Sequence, residues 1–298
     1  MTRARAYAAA ALVSCLAACG GSARAPRRPT ARPESTFGAP DLVAMVPPEA
    51  EWVLELDLAR VRANAAVGNT VLTFAEATDG RARAALGLNP LLDADHAVIA
   101  SFPGTEGPAI LFLFRGEKIT AAPARPDAVA IDAHTVAIGP EGPRQAARAA
   151  AAGKRASIFD DADFNDLRDA VIPSGAPGAS VRLTARLPFG RRIAVASQLD
   201  LDEAPARLSV WGDVADDLVI IMRADAERPD AARRLAESSE KKLAEVVRVI
   251  LPGGRVQVKP ERTLVRVIVE VGPRALAELA RTFVPAGPGI PIDLGPRR

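Results

Sequence analysis

The chain is poor in the residues on which most active sites are built. Its 298 residues include two cysteines, two histidines, one tyrosine and two tryptophans. Aromatic residues make up 4%, which excludes the stacking platforms that grip sugars or single-stranded nucleic acid. The 38 Lys+Arg against 36 Asp+Glu leave a formal charge of +2. That excludes the basic footprint of a dedicated nucleic-acid binder. No apolar run approaches the roughly 18 residues of a spanning helix. Nor is there a Gly-x-Ser-x-Gly elbow, a Gly-x-Gly-x-x-Gly turn after a strand, or a pair of histidines spaced for one helix face. What remains is ample core material. Hydrophobic residues reach 49% and charged ones 25%, enough for one large domain or two modest ones.

The first residues are an address. Arg3 and Arg5 precede an apolar run from Ala6 to Ala18, which closes in Leu16-Ala17-Ala18-Cys19. A short basic segment followed by an apolar one of this length is a secretory signal, here residues 1–18. The Leu-small-small-Cys ending resembles the lipobox of bacterial lipoproteins. The resemblance implies cleavage before Cys19, a diacylglyceryl group on its thiol and a fatty acyl chain such as palmitate on its new amine. Gly20, not Asp, follows the cysteine; in Gram-negative cells that implies sorting to the outer membrane, the domain facing the periplasm. Buried acyl carbons contribute ~0.8 kcal/mol per CH₂, so several chains make a permanent membrane anchor. Cys15 leaves with the signal, so the mature chain carries no disulfide and no catalytic or metal-binding thiolate.

Residues 19–40 are rich in Pro, Gly, Ser and Arg without apolar periodicity, a solvated tether with a reach of up to ~60 Å. Arg24, Arg27, Arg28 and Arg32 are opposed there only by Glu34. From Asp41 onward the balance is 32 basic to 35 acidic residues, a weakly acidic domain on a basic tether.

The folded part reads as α+β, mostly antiparallel sheets with packed helices, in two related lobes at 41–172 and 179–298. Glu51–Leu58 alternates as a half-buried strand showing Trp52, Leu54, Leu56 and Leu58 on one face. A helical stretch follows, broken at Gly68-Asn69 and again at Asp79-Gly80, and stopped by Gly87. Strands are expected at His96–Phe102 and Ala109–Arg115, then a hairpin of Ala128–Ile131 and Thr135–Ile138. Gly142-Pro143-Arg144 opens an Ala-rich helix, and Asp163–Ile172 is a short helix presenting Phe164, Leu167 and Val171. The Pro173–Gly178 stretch is the internal linker. Beyond it, Val181–Leu187, Ile193–Leu199, Leu208–Trp211 and Leu218–Met222 read as strands. Pro229–Leu251 carries a helical apolar stripe. Val256–Val258 and Leu264–Val271 pair around Pro260-Glu261-Arg262, and a last helix opens at Gly272-Pro273-Arg274 before a structureless tail. One echo joins the lobes: both contain a strand, Gly-Pro-Arg and an Ala-rich helix, the glycines 130 positions apart, although the long helices do not align at that offset. Helices follow runs of adjacent strands here, which favours antiparallel α+β over a doubly wound sheet.

A second resemblance is weaker. Pro48, Asp57, Gly87, Asn89, Pro90 and Asp93 fall in a pattern similar to a group of uncharacterised bacterial envelope proteins. It covers about a quarter of the chain and implies no catalytic set.

Candidate chemistry is sparse. His96 and His134 lack any motif, and core packing is the expectation for Trp52 and Trp211. Asp161, Asp163 and Asn165 imitate the first three ligands of a calcium loop, but Asp166 stands at its glycine and Ile172 at its bidentate glutamate. Capping by Asp160 or Asp161 is the simpler expectation. Gly153-Lys154 reads as a helix end, and Asp200, Asp202, Glu203, Asp216 and Asp217 as loop acids. No cofactor and no catalytic or metal site is therefore expected, the one modified residue being Cys19. The function expected is a noncatalytic binding or envelope-assembly domain with an envelope protein partner. The alternatives are a small-molecule or lipid binder with a cleft between the lobes, and a hydrolase using His96 or His134.

Overall fold

In the computed structural model, residues 41–104, 107–173, 178–199, 204–214, 217–250 and 253–282 are described. Strands of alternating or continuous apolar residues build one ten-stranded sheet, antiparallel throughout. The fold is α+β, as expected.

The first half runs β1 (Trp52–Asp57), α1 (Leu58–Ala63), α2 (Gly68–Leu86), α3 (Pro90–Asp93), β2 (His96–Phe102), β3 (Ala109–Arg115), β4 (Ala128–Asp132), β5 (Thr135–Ile138), α4 (Glu141–Ala151) and α5 (Ala162–Asp169). The second runs β6 (Val181–Arg186), α6 (Phe189–Leu199), β7 (Arg207–Val214), β8 (Leu218–Asp225), α7 (Pro229–Ile250), β9 (Arg255–Glu261), β10 (Leu264–Val271) and α8 (Pro273–Thr282). Spatial order across the sheet is β4-β5-β3-β2-β1-β6-β7-β8-β10-β9. Read outward from the β1–β6 seam, both halves have the order first, second, third, fifth, fourth strand. One topology is therefore laid down twice, and the seam is a ladder from Trp52↔Ala185 to Leu56↔Val181.

The echo corresponds to this repeat with a displaced register. Gly139-Pro140 links β5 to α4 and Gly272-Pro273 links β10 to α8; the Gly-Pro-Arg of the first half lies inside the first turn of α4 instead. The long helices fail to align because they are inserted at different points. α2 follows the first strand of its half, whereas α7 follows the third strand of the other.

The seam strand β1 is buried on both faces, not the single face that its pattern suggests. Val53 lies in a core with Val98, Leu111, Leu113, Ala147 of α4, Phe164 of α5 and the short 3-10 turn Leu42–Met45. On the other face Leu54 joins Leu183, Val210, Ile220, Val267 and Val269 beneath Leu235 and Val247 of α7 and Leu276 of α8. A third cluster on that face packs Leu58, Ala97, Phe114, Val136 and Ile138 beneath Leu88 and Ile119. Each fully buried aliphatic side chain contributes about 1.5–3 kcal/mol, so the core lies along the sheet and not at a lobe boundary.

Local chemistry corrects four expectations. Leu58 opens a helix because the Asp57 carboxylate accepts from the Arg60 N–H at 2.9 Å, an N-cap that ends the strand. α2 continues through Asp79-Gly80, where Asp79 pairs with Arg83 one turn on and accepts from the Asn89 amide; these contacts offset the ~1 kcal/mol that an interior glycine costs. The β9–β10 turn is tighter than Pro260-Glu261-Arg262: β9 runs on to Glu261, and Arg262 takes a left-handed φ of 54°. Residues 193–199 are helix, within α6, and not a strand. Gly87 does stop α2, at φ 77°, and a Cβ there would lie 2.3 Å from Pro123 Cβ, so the cap and the close approach both require glycine.

Residues 1–40, the linker positions 174–177, Asp200, Asp202, Glu203, Asp216, Phe283 and the C-terminal tail lie outside the described residues. Among the described residues, no helix is long and apolar enough to cross a membrane.

Candidate functional site

A hydrogen-bonded set of polar groups sits where the two halves meet. Capped by Asp57, α1 carries Arg60 to the end of β7, where Nε and Nη2 donate to the two carboxylate oxygens of Asp213, each at 2.6 Å. Ser180, at the start of β6, donates its hydroxyl to Asp213 Oδ1 at 3.0 Å and accepts from the Val214 N–H at 3.1 Å. Asp213 and Ser180 are buried. The hydrogen bonds that Arg60 donates to Asp213 raise the Arg60 pKa against the opposing effect of desolvation. Both carboxylate oxygens are engaged in a bidentate, charge-assisted pair. Chemically the arrangement is a clasp between first-half α1 and second-half β7.

His96 lies at the edge of this clasp. It pairs with Asp57 in the β1–β2 ladder, and its Nδ1 is 3.9 Å from Asp57 Oδ1. The Asp57 N–H donates to the Ser180 carbonyl, so histidine, carboxylate and serine fall on three adjacent strands. Their hydrogen bonds are directed elsewhere. The Ser180 hydroxyl proton is directed to Asp213, and the Asp57 carboxylate caps α1, whereas a general base needs hydrogen-bond reach of the proton it removes. His134 stands at the β4–β5 turn, where its backbone N–H donates to Asp132.

The aspartate-rich segment that leads into and opens α5 is held by individual protein partners. Ser157 and Asp160 form a capping box on the turn Ile158–Asp160. Asp161 caps α5, accepting from Phe164 N at 3.1 Å, and pairs with Arg186 of β6, whose hydrogen bond lowers its pKa. Asp163 pairs with Arg207 of β7, and Asn165 donates to the Phe159 carbonyl at 2.7 Å. Arg168 closes the set with a bidentate pair to Glu55 at 2.7 Å. α5 thus bridges the seam, with Phe164 and Leu167 buried beneath it. Trp211 packs on Val171 and Ile221, and Trp52 is partly buried against the larger core.

The Gly87–Asp93 pattern is a scaffold. Asn89 is buried, caps α3 through Leu91 N at 3.1 Å, and donates to the Ala75 carbonyl at 2.9 Å; its own N–H donates to Asp93. Gly153 ends α4, where Lys154 N donates to Ala149 O.

Sequence reading brings out the Asp161 cap and the packing of both tryptophans, but neither the Asp57 cap nor the clasp. Arg60 and Asp213 are 153 positions apart and neither sits in a motif; only the β1–β6 pairing brings them together.

No family profile matches the chain, and no curated protein matches it. Among solved structures it is similar to TP0453. Crystal form III of that protein gives a TM-score of 0.46 at 10% identity, covering 82% of this chain and 100% of the other. Crystal form I gives 0.43 at 11%, covering 83% and 100%, and form IV gives 0.43 at 12%, covering 82% and 96%.

Proposed function

We propose that this chain is a lipoprotein of the bacterial envelope, anchored through Cys19, whose α+β domain acts by binding an envelope protein partner. The observation that carries the proposal is Leu16-Ala17-Ala18-Cys19 at the end of an apolar signal. Lipid on Cys19 fixes the domain to a bilayer, and Gly20 directs it to the outer membrane. The tether of residues 19–40 then holds the domain in a shell near the membrane, which raises its effective concentration toward anything else held there. The two-lobe reading, 41–172 and 179–298, is supported by the repeated strand order.

Support for binding over catalysis comes from how the polar groups are used. Asp213, Ser180, Asp161, Asp163 and Arg168 each take a protein partner that stiffens the seam. The alternative of a small-molecule or lipid binder with a cleft between the lobes meets a physical difficulty, because the halves join edge to edge through β1 and β6.

The proposal is tested by mass spectrometry of the mature N-terminus purified from membranes. Diacylglyceryl and acyl mass on Cys19 is expected, and its loss in Cys19→Ala together with blocked processing. An unmodified Cys19 at the mature terminus overturns the anchor, and recovery with inner-membrane markers overturns the sorting.

A further inference from the structure

We propose that α6 is a membrane-surface helix whose outward face, carrying Phe189 and Ile193, seats in the lipid of the bilayer to which the chain is tethered. The inference rests on the Cys19 anchor proposed above. Phe189 and Ile193 are 69% and 59% exposed, among the most exposed large hydrophobic residues described. They are one helical turn apart and so are neighbours on one face. Pro188, Gly190, Ala194 and Ser197 are also exposed, and none carries charge. Both charges of the helix are held by acids of the protein. Arg191 lies 3.3 Å from Glu51, at the start of β1, and Arg192 donates to Glu227 at 2.6 Å, its guanidinium 5.3 Å from the Phe189 ring centroid. An ordinary surface helix buries its large apolar side chains; α6 leaves Phe189 and Ile193 exposed. No described side chain of α6 belongs to a core cluster, and ion pairs from Arg191 and Arg192 tie the helix to the rest of the protein.

The size of the face selects its occupant. A second copy of the chain needs about 800 Å² from each partner for a stable interface, and two side chains supply a small part of that. A bilayer needs no complementary shape, and it takes aromatic and aliphatic side chains at a depth of about 5–10 Å. The contact is too small to recruit a free protein from solution. For a domain joined to the bilayer by residues 19–40 it need only orient what is already there, and Glu51, which pairs with Arg191 of α6, lies ten residues beyond Asp41, the first residue after the tether. Because both arginines are paired within the protein, the contact owes little to anionic headgroups.

The test uses the lipidated mature chain, in which Cys19 is thioether-linked. Ser197→Cys then offers the one free thiol for an environment-sensitive nitrobenzoxadiazole label, with Lys259→Cys on the far-edge strand β9 as the control. Protein is reconstituted into phosphatidylcholine vesicles, with and without phosphatidylglycerol, and quenched with shallow doxyl-labelled lipid. The label at 197 is expected to shift to the blue and be quenched equally in both lipids, the label at 259 in neither. Phe189→Ser/Ile193→Ser should abolish both signals at 197 while the protein still floats with vesicles. A label at 197 that stays water-exposed on co-floating protein overturns the inference and leaves the anchor standing. Protein that does not float, with dye also entering Cys15 or Cys19, removes the anchor and the inference together. A dimer in detergent that the double serine variant dissociates assigns the face to a second copy, and the inference falls.

Discussion

Asp213→Ala removes the acceptor at the centre of the seam clasp. Two Arg60 donors and the Ser180 hydroxyl lose their partner at once. Breaking a fully buried pair from one side costs about 3–5 kcal/mol, but the Arg60 side chain is 21% exposed against 9% for Asp213, so the guanidinium can turn partly to water. Unsatisfied Ser180 adds about 1 kcal/mol. The expected loss is therefore about 2–3 kcal/mol, or roughly 4–12 °C in Tm for a domain of this size. The assay is urea unfolding of the mature chain in a double-mutant cycle with Arg60→Ala. Once one partner is gone the other has little left to lose, so Arg60→Ala/Asp213→Ala should be more stable than additivity predicts, by at least about 1 kcal/mol. Additivity within about 0.5 kcal/mol would refute the clasp.

The pH dependence follows from carboxylates held by arginine. Hydrogen bonds lower the pKa of Asp161 (from Arg186), Asp127 (from Arg125) and Asp79 (from Asn89, then Arg83). A folded pKa below the unfolded ~3.9 gives stability that is present above that value and lost as pH falls through the folded one. The urea midpoint should hold above about pH 5 and fall below about pH 4, less steeply in Asp161→Asn; an unchanged midpoint at pH 2 contradicts the pairs. Since Asp161, Asp163 and Asn165 are each engaged by protein groups, thermal melts should be the same with and without chelator, and with and without dithiothreitol. A drop of several degrees on chelation would mean a bound ion, because ligands stabilise by mass action.

What the sequence makes legible is what is local. β2 and β3 are bounded at His96, Phe102, Ala109 and Arg115 in both sequence and structure, because turn-forming residues flank uninterrupted apolar runs. The Asp161 cap and the Phe164–Leu167 stripe also lie within one short segment. Residues 193–199 mislead for a physical reason. Ile193, Val195 and Leu199 space like a strand, yet β6 and β7 are already adjacent, and from the helix Arg191 and Arg192 pair with Glu51 and Glu227. Because nothing buries Phe189 and Ile193, their pattern carries no sheet-facing signal. The double burial of β1 is likewise invisible locally, since its neighbour β6 comes more than a hundred residues later. For the same reason the candidate site is illegible. Its members, Arg60, Ser180 and Asp213, become neighbours only when the seam closes.

The account's central claim is that a tethered domain acts by binding, and complementation of a deletion strain tests it most directly. Three variants are compared with the wild-type chain at matched abundance: a soluble periplasmic form without the lipid anchor, His96→Ala and His134→Ala. A general acid–base enzyme loses orders of magnitude when its histidine is removed, whereas a tethered binder loses its effective concentration when released. The prediction is full rescue by both histidine variants and markedly weaker rescue by the soluble form. Full rescue by the soluble form, with failure of a well-folded histidine variant, would contradict the account and put a hydrolase in its place.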